Sequence, residues 1–599
     1  NYDKAYSFLS VVELCRLLAQ MGMIPCGTGV GDGQQIPSLT SLPVCIDGRV
    51  IGAVGNSKEA DSLVQQLRFL KATGGNGNWD TYLDPTMEIA YIPVPKNPEH
   101  RVVHGYAGIF LFTSPGRMIR PVINIHTNTI EWIGPMEQPY LEIACLSDDV
   151  RANETTHMEI EPTQMLSHVA SLTPFSDQNQ SPRNMYQCQM GKQTMGTPAH
   201  AMKHRNDNKL YRIQNPQACL VQTKAHREYC MDEYPQGTNA IVAVIAYTGF
   251  DMEDAMIINR SAFQRGFGHG SMYKTMVIDL DEEEKRAVST GARPALIFAN
   301  IKSPPLPSLS YGDSIDNNTG TTNTTNMSGE KFVESLDSDG LPLEGEAVQY
   351  GEAVCCIVDT ISGEHRIIKH KSEEKAYVDT VRVLGSSSNT NKSTARKVSI
   401  TMRYPRKPVI GDKFSSRHGQ KGTLSVLWPQ ENMPFSESGM SPDILINPHA
   451  FPSRMTIGML VESMAGKAGA MHGHFQDGTP FQYHEKHRAV DYVGEQLLKS
   501  GYNYYGAEPL YSGISGKVMQ CDIFIGVVYY QRLRHMVSDK SQVRSTGAVQ
   551  SVTRQPVKGR KKGGGIRLGE MERDALLSHG VAYCLHDRLM GCSDAHQAH

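Results

Sequence analysis

Long apolar runs and clustered cysteines are both missing from this sequence of 599 residues. No apolar run is long enough to cross a bilayer, which argues against a membrane-spanning helix. The 12 cysteines are scattered, and none forms a Cys-x-x-Cys pair. A structural zinc site needs thiolates at short spacing, so none is expected in this chain. With no secretory signal recognised, we expect an intracellular protein with reduced cysteines.

A strong net charge is missing as well, because 59 Lys and Arg residues face 62 Asp and Glu residues. The charges are, however, unevenly distributed. Basic residues outnumber acidic ones eight to one in 183–227, six to one in 403–421 and ten to one in 532–567. One such stretch alone would indicate a solvated face. Three of them in a near-neutral chain indicate a concentrated surface for binding a polyanion.

The length of the chain exceeds what a single hydrophobic core supports, so we predict a multi-domain α+β, mainly β, fold. After residue 270 the sequence becomes acidic and then partly low in complexity. Asn-, Thr- and Ser-rich segments at 317–331 and 386–397 predict mobile loops on a β-rich domain. The predicted regions are 1–157, 158–270, 271–402, 403–531 and 532–599.

Hydrophobic periodicity and turn chemistry predict the individual elements. Asp47-Gly48 is typical of a tight hairpin turn. Ser453 is predicted to be an N-cap, which would place Arg454 in the first turn of a helix. The predicted helices are 5–22, 57–72, 454–472 and 569–589, and the predicted strands include 88–94, 107–113, 120–125, 240–247, 255–258, 353–358 and 397–402.

Two lysines, an arginine and a histidine lie among three glycines in the string Gly411-Asp-Lys-Phe-Ser-Ser-Arg-His-Gly-Gln-Lys-Gly422. Its glycines let the backbone approach a ligand closely, and Lys413 and Lys421 can bind phosphate as point charges. The string lacks the Gly-Lys-Ser/Thr ending of a Walker loop. Taken alone, it fits an exposed turn as well as it fits contact with phosphate, whether of a triphosphate or of a nucleic-acid backbone.

Three other strings carry residues suited to phosphate chemistry. Arg183, after Ser181-Pro, has the fork that clamps a phosphate at two points. Arg454 would add its charge to a helix N-terminus, which already attracts anions. In Phe250-Asp-Met-Glu-Asp-Ala-Met, Glu253 and Asp254 follow a buried strand and could hold Mg²⁺ directly or through water. A surface arginine or a solvated turn is the alternative in each case.

Basic residues are interleaved with tyrosine and histidine from residue 529 to residue 540, a pattern that suits contact with a nucleic-acid backbone. Together these strings resemble the signatures of the second-largest subunit of multi-subunit DNA-directed RNA polymerases. The resemblance covers nearly the whole chain, most strongly 161–267 and 403–589. It implies, in chain order, external domains, the first part of a hybrid-binding domain, a wall, the second part of that domain, and an anchor and switch region that starts the clamp.

The resemblance also implies site residues. Arg183, Lys413, Lys421 and Arg454 would act at the catalytic centre, beside the nucleotide and the RNA 3′ end. Glu253 and Asp254 would be transient or outer-shell Mg²⁺ ligands, while the primary Mg²⁺ site is expected on the largest subunit and zinc only in a C-terminal module beyond this chain. Further nucleotide or nucleic-acid contacts are expected from Tyr186, Lys192, Gln193, Arg403, Arg417, His418, Gln420, Arg532, Arg534, His535, Lys540 and Arg544.

Several strings resemble RNA polymerase I more than II or III, among them Met185-Tyr-Gln-Cys-Gln-Met, Leu427-Trp-Pro and Glu437-Ser-Gly-Met. This implies DNA-templated synthesis of pre-ribosomal RNA in the nucleus, at the nucleolus. The implied partners are the largest subunit, other polymerase subunits, template DNA, the RNA–DNA hybrid and nucleoside triphosphates. No N-terminal protrusion, lobe or fork is recognised, so we expect a fragment. The alternatives are an RNA polymerase III subunit and a nucleic-acid-binding scaffold without a catalytic contribution.

Overall fold

The computed structural model describes residues 10–26, 41–73, 83–93, 107–114, 116–152, 154–205, 207–289, 295–300, 333, 335–384, 396–484 and 487–595. The chain divides into two compact units, Asn1–Ser167 and His168–His599. The boundary predicted at 157/158 falls inside a strand of the first unit, His157–Met158. The predicted loop 317–331 and nearly all of 386–397 lie outside the described residues. Within the described residues, no helix is long and apolar enough to cross a membrane.

Two sheets organise the first unit. Its elements are α1 (Val11–Gln20), β1 (Ile24–Pro25), β2 (Leu42–Ile46), β3 (Arg49–Val54), α2 (Ser57–Thr73), β4 (Glu88–Ile92), β5 (Gly108–Phe112), β6 (Arg120–Asn124), β7 (Thr129–Ile133), β8 (Ile143–Ala144) and β9 (His157–Met158). The sheet orders are β1-β3-β2-β5-β4 and β7-β6-β9-β8. The predicted hairpin is confirmed, because Asp47 and Gly48 have φ angles of 45° and 83°. Residues 5–9 of the first predicted helix lie outside the described residues.

A five-stranded and a three-stranded sheet form the β-rich part of the second unit, in the orders β10-β14-β20-β19-β16 and β15-β17-β18. The elements up to this point are α3 (Ser181–Gly191), β10 (Lys209–Ile213), β11 (Val221–Gln222), α4 (Lys224–Glu228), β12 (Thr238–Val244), β13 (Ala255–Asn259), α5 (Arg260–Gln264), β14 (Gly270–Asp279), α6 (Leu280–Ser289), β15 (Leu296–Phe298), β16 (Ala347–Val348), β17 (Ala353–Asp359), β18 (His365–Lys369), β19 (Ala376–Leu384) and β20 (Lys397–Arg406).

A seven-stranded sheet that closes on itself combines strands that precede β14 with strands that follow β20. The remaining elements are β21 (Lys413–Ser416), β22 (Lys421–Trp428), β23 (Phe435–Ser436), β24 (Ile444–Ile446), α7 (Ile457–His472), β25 (Gln476–Asp477), α8 (Ala489–Lys499), β26 (Ala507–Glu508), β27 (Leu510–Tyr511), β28 (Ile523–Arg532), α9 (Val537–Lys540), α10 (Glu570–Ser578) and α11 (Ala582–His586). The strand order is β12-β24-β13-β22-β21-β28-β26, and β12 also pairs with β28. The sheet therefore closes on itself around a core that includes Val242, Phe414 and Val528.

Helix α7 packs against this sheet and is buried almost throughout, from Gly458 to Gly469. A Cβ atom at Gly466 would lie 2.4 Å from the carbonyl oxygen of Val527, so the missing side chain lets the helix touch the backbone of β28. The predicted start at Arg454 is wrong. Met455 has a left-handed φ of 53°, which interrupts the helical backbone, and Thr456 is the N-cap.

The predicted helix 569–589 is also interrupted. Gly580 has a φ of 70° and separates α10 from α11, after which a π-helical turn covers Asp587–Gly591. A glycine in the left-handed region is a common helix terminator, because it has no Cβ atom to clash with the backbone. Within the described stretch 541–595, Gly564 is the one buried residue.

Candidate phosphate-binding site

The hairpin formed by β21 and β22 carries both predicted lysines. In its register Lys413 lies opposite Thr423, and Ser415 lies opposite Lys421. Residues two apart on a strand point to the same face, so Lys413 and Lys421 are diagonal neighbours on one face, with Cα atoms roughly 7–8 Å apart. Lys421 is exposed and Lys413 is half-buried. The hairpin thus presents two ammonium groups to the same side.

The segment after β28 adds more positive charge beside these lysines. The backbone N–H of Leu533 donates to the carbonyl of Lys413 at 3.0 Å, and Nε2 of His535 lies 2.6 Å from Oε1 of Gln193. Burial, then Lys540 and Arg534, and then Lys413 and Lys421 hold the pKa of His535 below its usual value. We call the five residues Lys413, Lys421, Arg534, His535 and Lys540 the cationic patch.

Helix α3 brings Arg183 to the tip of the same hairpin. Gly419 has a φ of 72°, and a Cβ atom there would lie 2.6 Å from the carbonyl oxygen of Arg183. The guanidinium of Arg183 stacks over the exposed ring of Tyr186, 5.6 Å from the ring centroid. Burial and then the charge of Arg183 lower the pKa of Arg454. The two arginines are therefore electrostatic neighbours.

Arg454 lies in the turn before α7, where two partners hold its guanidinium. Nη1 donates to Oε1 of Gln420 at 2.6 Å, and Nη2 is paired with the carboxylate of Asp254. Both Arg454 and Asp254 line an open cavity of about 730 Å³, together with Tyr247, Asp251, Glu253, Asn447 and His449. The cavity thus has acidic and basic walls, as a metal-bound phosphate would require.

The acids of this cavity have different roles. Asp251 is buried and accepts hydrogen bonds from the backbone N–H groups of Tyr247 and Gly249, both at 3.1 Å, so it shapes the turn. Glu253 and Asp254 are exposed. In the described part of the chain, no three or more His, Cys, Asp or Glu side chains are grouped to hold a metal ion. Two carboxylates fit Mg²⁺ only as part of a shell completed by water and by oxygens from elsewhere.

Several predicted contact residues point into the protein, which corrects the expectation that they face a nucleic acid. Arg417 and His418 are buried and bind Glu462. Gln420 is buried against Thr456 and the carbonyl of Ala450. Arg532 is 1% exposed and pairs with Asp412 at 2.8 Å. Their side chains stabilise the hairpin rather than extend from it.

Three other predicted residues have different surroundings. Lys192 is exposed after the end of α3. Arg403 is exposed on β20, in the five-stranded sheet, with its guanidinium 5.7 Å from the ring centroid of Tyr377. Arg544 donates to the carbonyl of Gly563 at 2.5 Å and to that of Ala548 at 3.2 Å. Arg403 and Arg544 therefore contact residues outside the hairpin that carries the two lysines.

Two residues that support the site carried no role in the sequence interpretation. Asp412 accepts hydrogen bonds from the backbone N–H groups of Val409 and Val537, each at 2.9 Å, besides its pair with Arg532. Glu462 lies in the middle of α7. The sequence does contain a sign of this role, because Glu462 is an acid in a helix built largely of small and apolar residues. A buried acid of this kind needs a partner.

Two family models together match most of the chain. The family described as RNA polymerase Rpb2, domain 6, matches residues 169–562, and domain 7 of the same protein matches residues 564–599. The domain described as RNA polymerase I, Rpa2 specific, matches residues 51–120. The first of these matches covers the closed sheet, the hairpin and the cationic patch.

Relatives named DNA-directed RNA polymerase I subunit RPA2 are similar over nearly all of the chain. The protein of Neurospora crassa is 50% identical over 565 residues, which are 92% of this chain and 43% of the relative. The human protein is 49% identical over 593 residues, 99% of this chain and 48% of the relative. The Dictyostelium discoideum protein is 49% identical over 579 residues, with 96% and 48% covered. The chain spans about half the length of these curated relatives.

A closed sheet with a basic hairpin, matched by these domains, defines the class: the chain belongs to the family of second-largest subunits of DNA-directed RNA polymerases. Within that family it belongs with the second-largest subunits of RNA polymerase I, as the Rpa2-specific domain and the relatives show. The alternative of an RNA polymerase III subunit is not favoured by these matches.

Proposed function

We propose that this chain contributes to the active centre of nuclear RNA polymerase I, where it positions the incoming nucleoside triphosphate and the RNA–DNA hybrid during synthesis of pre-ribosomal RNA. The observation that carries the proposal is the convergence on one hairpin: Lys413 and Lys421 project from it, Arg183 packs against its tip, and Arg454 is held by its Gln420. Cations gathered in this way suit a triphosphate better than a single-stranded backbone alone.

The chemistry of each group follows from its charge and place. Arg183, Arg454 and the two lysines would neutralise charge on the phosphates and on the leaving pyrophosphate, and they would fix their orientation. Glu253 and Asp254 would accompany a nucleotide-bound Mg²⁺, which supplies Lewis-acid catalysis in such transfers. We assign the primary Mg²⁺ site to the largest subunit. The cationic patch, together with Tyr186, Lys192 and Gln193, would contact the hybrid and the nucleotide.

The test is nucleotide addition by RNA polymerase I assembled with the full-length subunit that carries Lys413→Ala or Arg454→Ala. We expect the rate at limiting nucleotide to fall about tenfold or more, because each variant removes one charge from the transition state. The subunit composition should be unchanged. Normal elongation at limiting nucleotide would contradict the proposed roles. Reduced hybrid affinity with an unchanged nucleotide KM would instead describe a nucleic-acid-binding scaffold.

A further inference from the structure

Helix α7 contains a buried acid that does not face the phosphate-binding cavity. Glu462 is 1% exposed. Its Oε1 accepts hydrogen bonds from Nη2 of Arg417 at 2.5 Å and from the backbone N–H of Tyr529 at 3.2 Å. Its Oε2 is paired with Nε2 of His418. A carboxylate at this depth is costly unless its oxygens are satisfied, and here both oxygens have donors.

The charge of Glu462 is maintained by these partners. Burial alone would raise its pKa, but Arg417 and His418 outweigh that effect and lower the pKa of Glu462 to about 2. Burial would likewise lower the pKa of Arg417, yet Glu462 raises it above its usual value. The pair is therefore ionised, and removing one member would leave a buried charge without its partner.

His418 extends the connection to the segment before α3. Its Nδ1 lies 3.0 Å from Nδ2 of Asn179, while Oδ1 of Asn179 accepts from the backbone N–H of Gly458, in the first turn of α7, at 2.9 Å. Because Oδ1 of Asn179 is already an acceptor, its amide must donate to Nδ1 of His418. Nε2 of His418 then carries the proton that is donated to Glu462. Three separate parts of the chain are thereby joined through one carboxylate.

The residues that follow His418 connect this buried network to the side chains that are proposed to bind the triphosphate. Gly419 lies against the carbonyl of Arg183. Gln420 accepts from Arg454 at 2.6 Å and donates to Oγ1 of Thr456 at 2.5 Å. Lys421 comes next and is exposed. A shift of the hairpin tip would consequently move all three cations relative to one another.

We propose that Glu462 is a positioning residue for the incoming nucleotide: by holding Arg417 and His418, it fixes the hairpin tip and so the mutual placement of Arg183, Arg454 and Lys421. Glu462 does not touch the nucleotide itself. The inference rests on the function proposed above, since it assumes that these cations bind the triphosphate.

The experiment is steady-state single-nucleotide addition by RNA polymerase I assembled with the full-length subunit carrying Glu462→Gln. Gln keeps the size of the side chain but cannot balance the charge of Arg417. We expect the nucleotide KM to rise about tenfold, with a smaller change in kcat, because the cations are displaced rather than removed. The matched control is Glu508→Gln. Glu508 lies in β26 and pairs with Lys467, another charged residue of α7, rather than with a residue of the hairpin. This control variant should leave KM unchanged.

A milder variant covers the case in which Glu462→Gln does not assemble. Asn179→Ala removes the link to His418 without leaving a buried charge unpaired, and it should raise KM about threefold. An unchanged KM in the variant that assembles, or an equal rise for Glu508→Gln, would overturn the inference. If Lys413→Ala and Arg454→Ala raise KM while Glu462→Gln does not, the inference alone fails. If none of the three changes KM, the proposed function fails too.

Discussion

The cations of the hairpin differ in where their side chains go, although they lie close together in sequence. Lys421 reaches solvent, whereas Arg417 and His418 are buried. Composition predicted positive charge here but could not separate these cases. The reason is that the partner of Arg417 is Glu462, 45 residues away, and a burial that depends on such a distant contact leaves no local pattern.

The close approach of Gly419 to Arg183 predicts that a side chain at position 419 would disturb nucleotide binding. Gly419→Ala would place a methyl group 2.6 Å from the carbonyl oxygen of Arg183 and should displace α3. We expect the nucleotide KM to rise about tenfold in single-nucleotide addition. Gly439→Ala is the control, because Gly439 also has a positive φ, 81°, but nothing lies near its Cβ position. Equal effects of the two variants would mean that backbone strain alone is responsible.

His535 should link nucleic-acid binding to pH. In the free protein, burial and the surrounding cations hold its pKa down, so near neutral pH the imidazole is uncharged. A phosphodiester bound in the cationic patch would offset those charges and raise the pKa, so that binding takes up a proton. Affinity for the hybrid, measured at constant salt, should therefore increase as the pH falls from about 8 to about 6. The same increase in His535→Gln would rule out this residue as the source.

At the level of elements, the pair Asp412–Arg532 connects the start of β21 to the end of β28, and Asp412 also anchors the N–H of Val537 in α9. Asp412→Asn would leave Arg532 buried and without its counter-charge. We expect a loss of about 3–5 kcal/mol in the free energy of unfolding, measured by chemical denaturation. Asp207→Asn, in the exposed pair with Arg205, should cause no measurable change. Similar losses of unfolding free energy in the two variants would show that burial does not determine how much an ion pair contributes to stability.

Elements whose neighbouring residues determine their conformation were predicted correctly. Elements whose conformation depends on distant contacts were not. The Asp47-Gly48 turn and helix α2 follow directly from residue type and periodicity. The start of α7 does not, because Ser453 looks like an N-cap while the left-handed Met455 delays the helix. That backbone conformation is imposed where Gln420 and Asn179 hold the turn from other parts of the chain. Tertiary contacts thus overrode a local preference.

At the scale of the whole molecule, the closed sheet combines strands from two distant parts of the chain, 238–259 and 413–532. The pairing that closes the sheet, between β12 and β28, could not be inferred from composition. Residues such as Ala243 and Ile525 face each other across hundreds of positions of sequence. The motifs contain the charged residues, but which of these side chains are buried depends on contacts between distant strands that leave no local pattern.

The cationic patch should determine how strongly nucleic-acid binding depends on salt. Replacing Arg534 and Lys540 together by Ala should reduce the slope of log affinity against log salt by about 0.7–0.9 for each phosphate that is no longer neutralised. Lys517→Ala, which changes an exposed lysine after β27, should leave the slope as it is. The measurement is a salt titration of hybrid binding by the assembled polymerase. An unaltered slope in the double variant would exclude these residues from the interface.

The stretch from 541 to 595 forms helices and turns but has hardly any buried side chain of its own. Val543, Met571 and Tyr583 are each more than 80% exposed. Such a segment gains little free energy from its own packing to offset the loss of chain entropy. We therefore expect another surface to stabilise it by covering these side chains. We therefore expect proteases to cleave this stretch faster in the unassembled subunit than in the assembled polymerase, because only assembly could cover its exposed side chains.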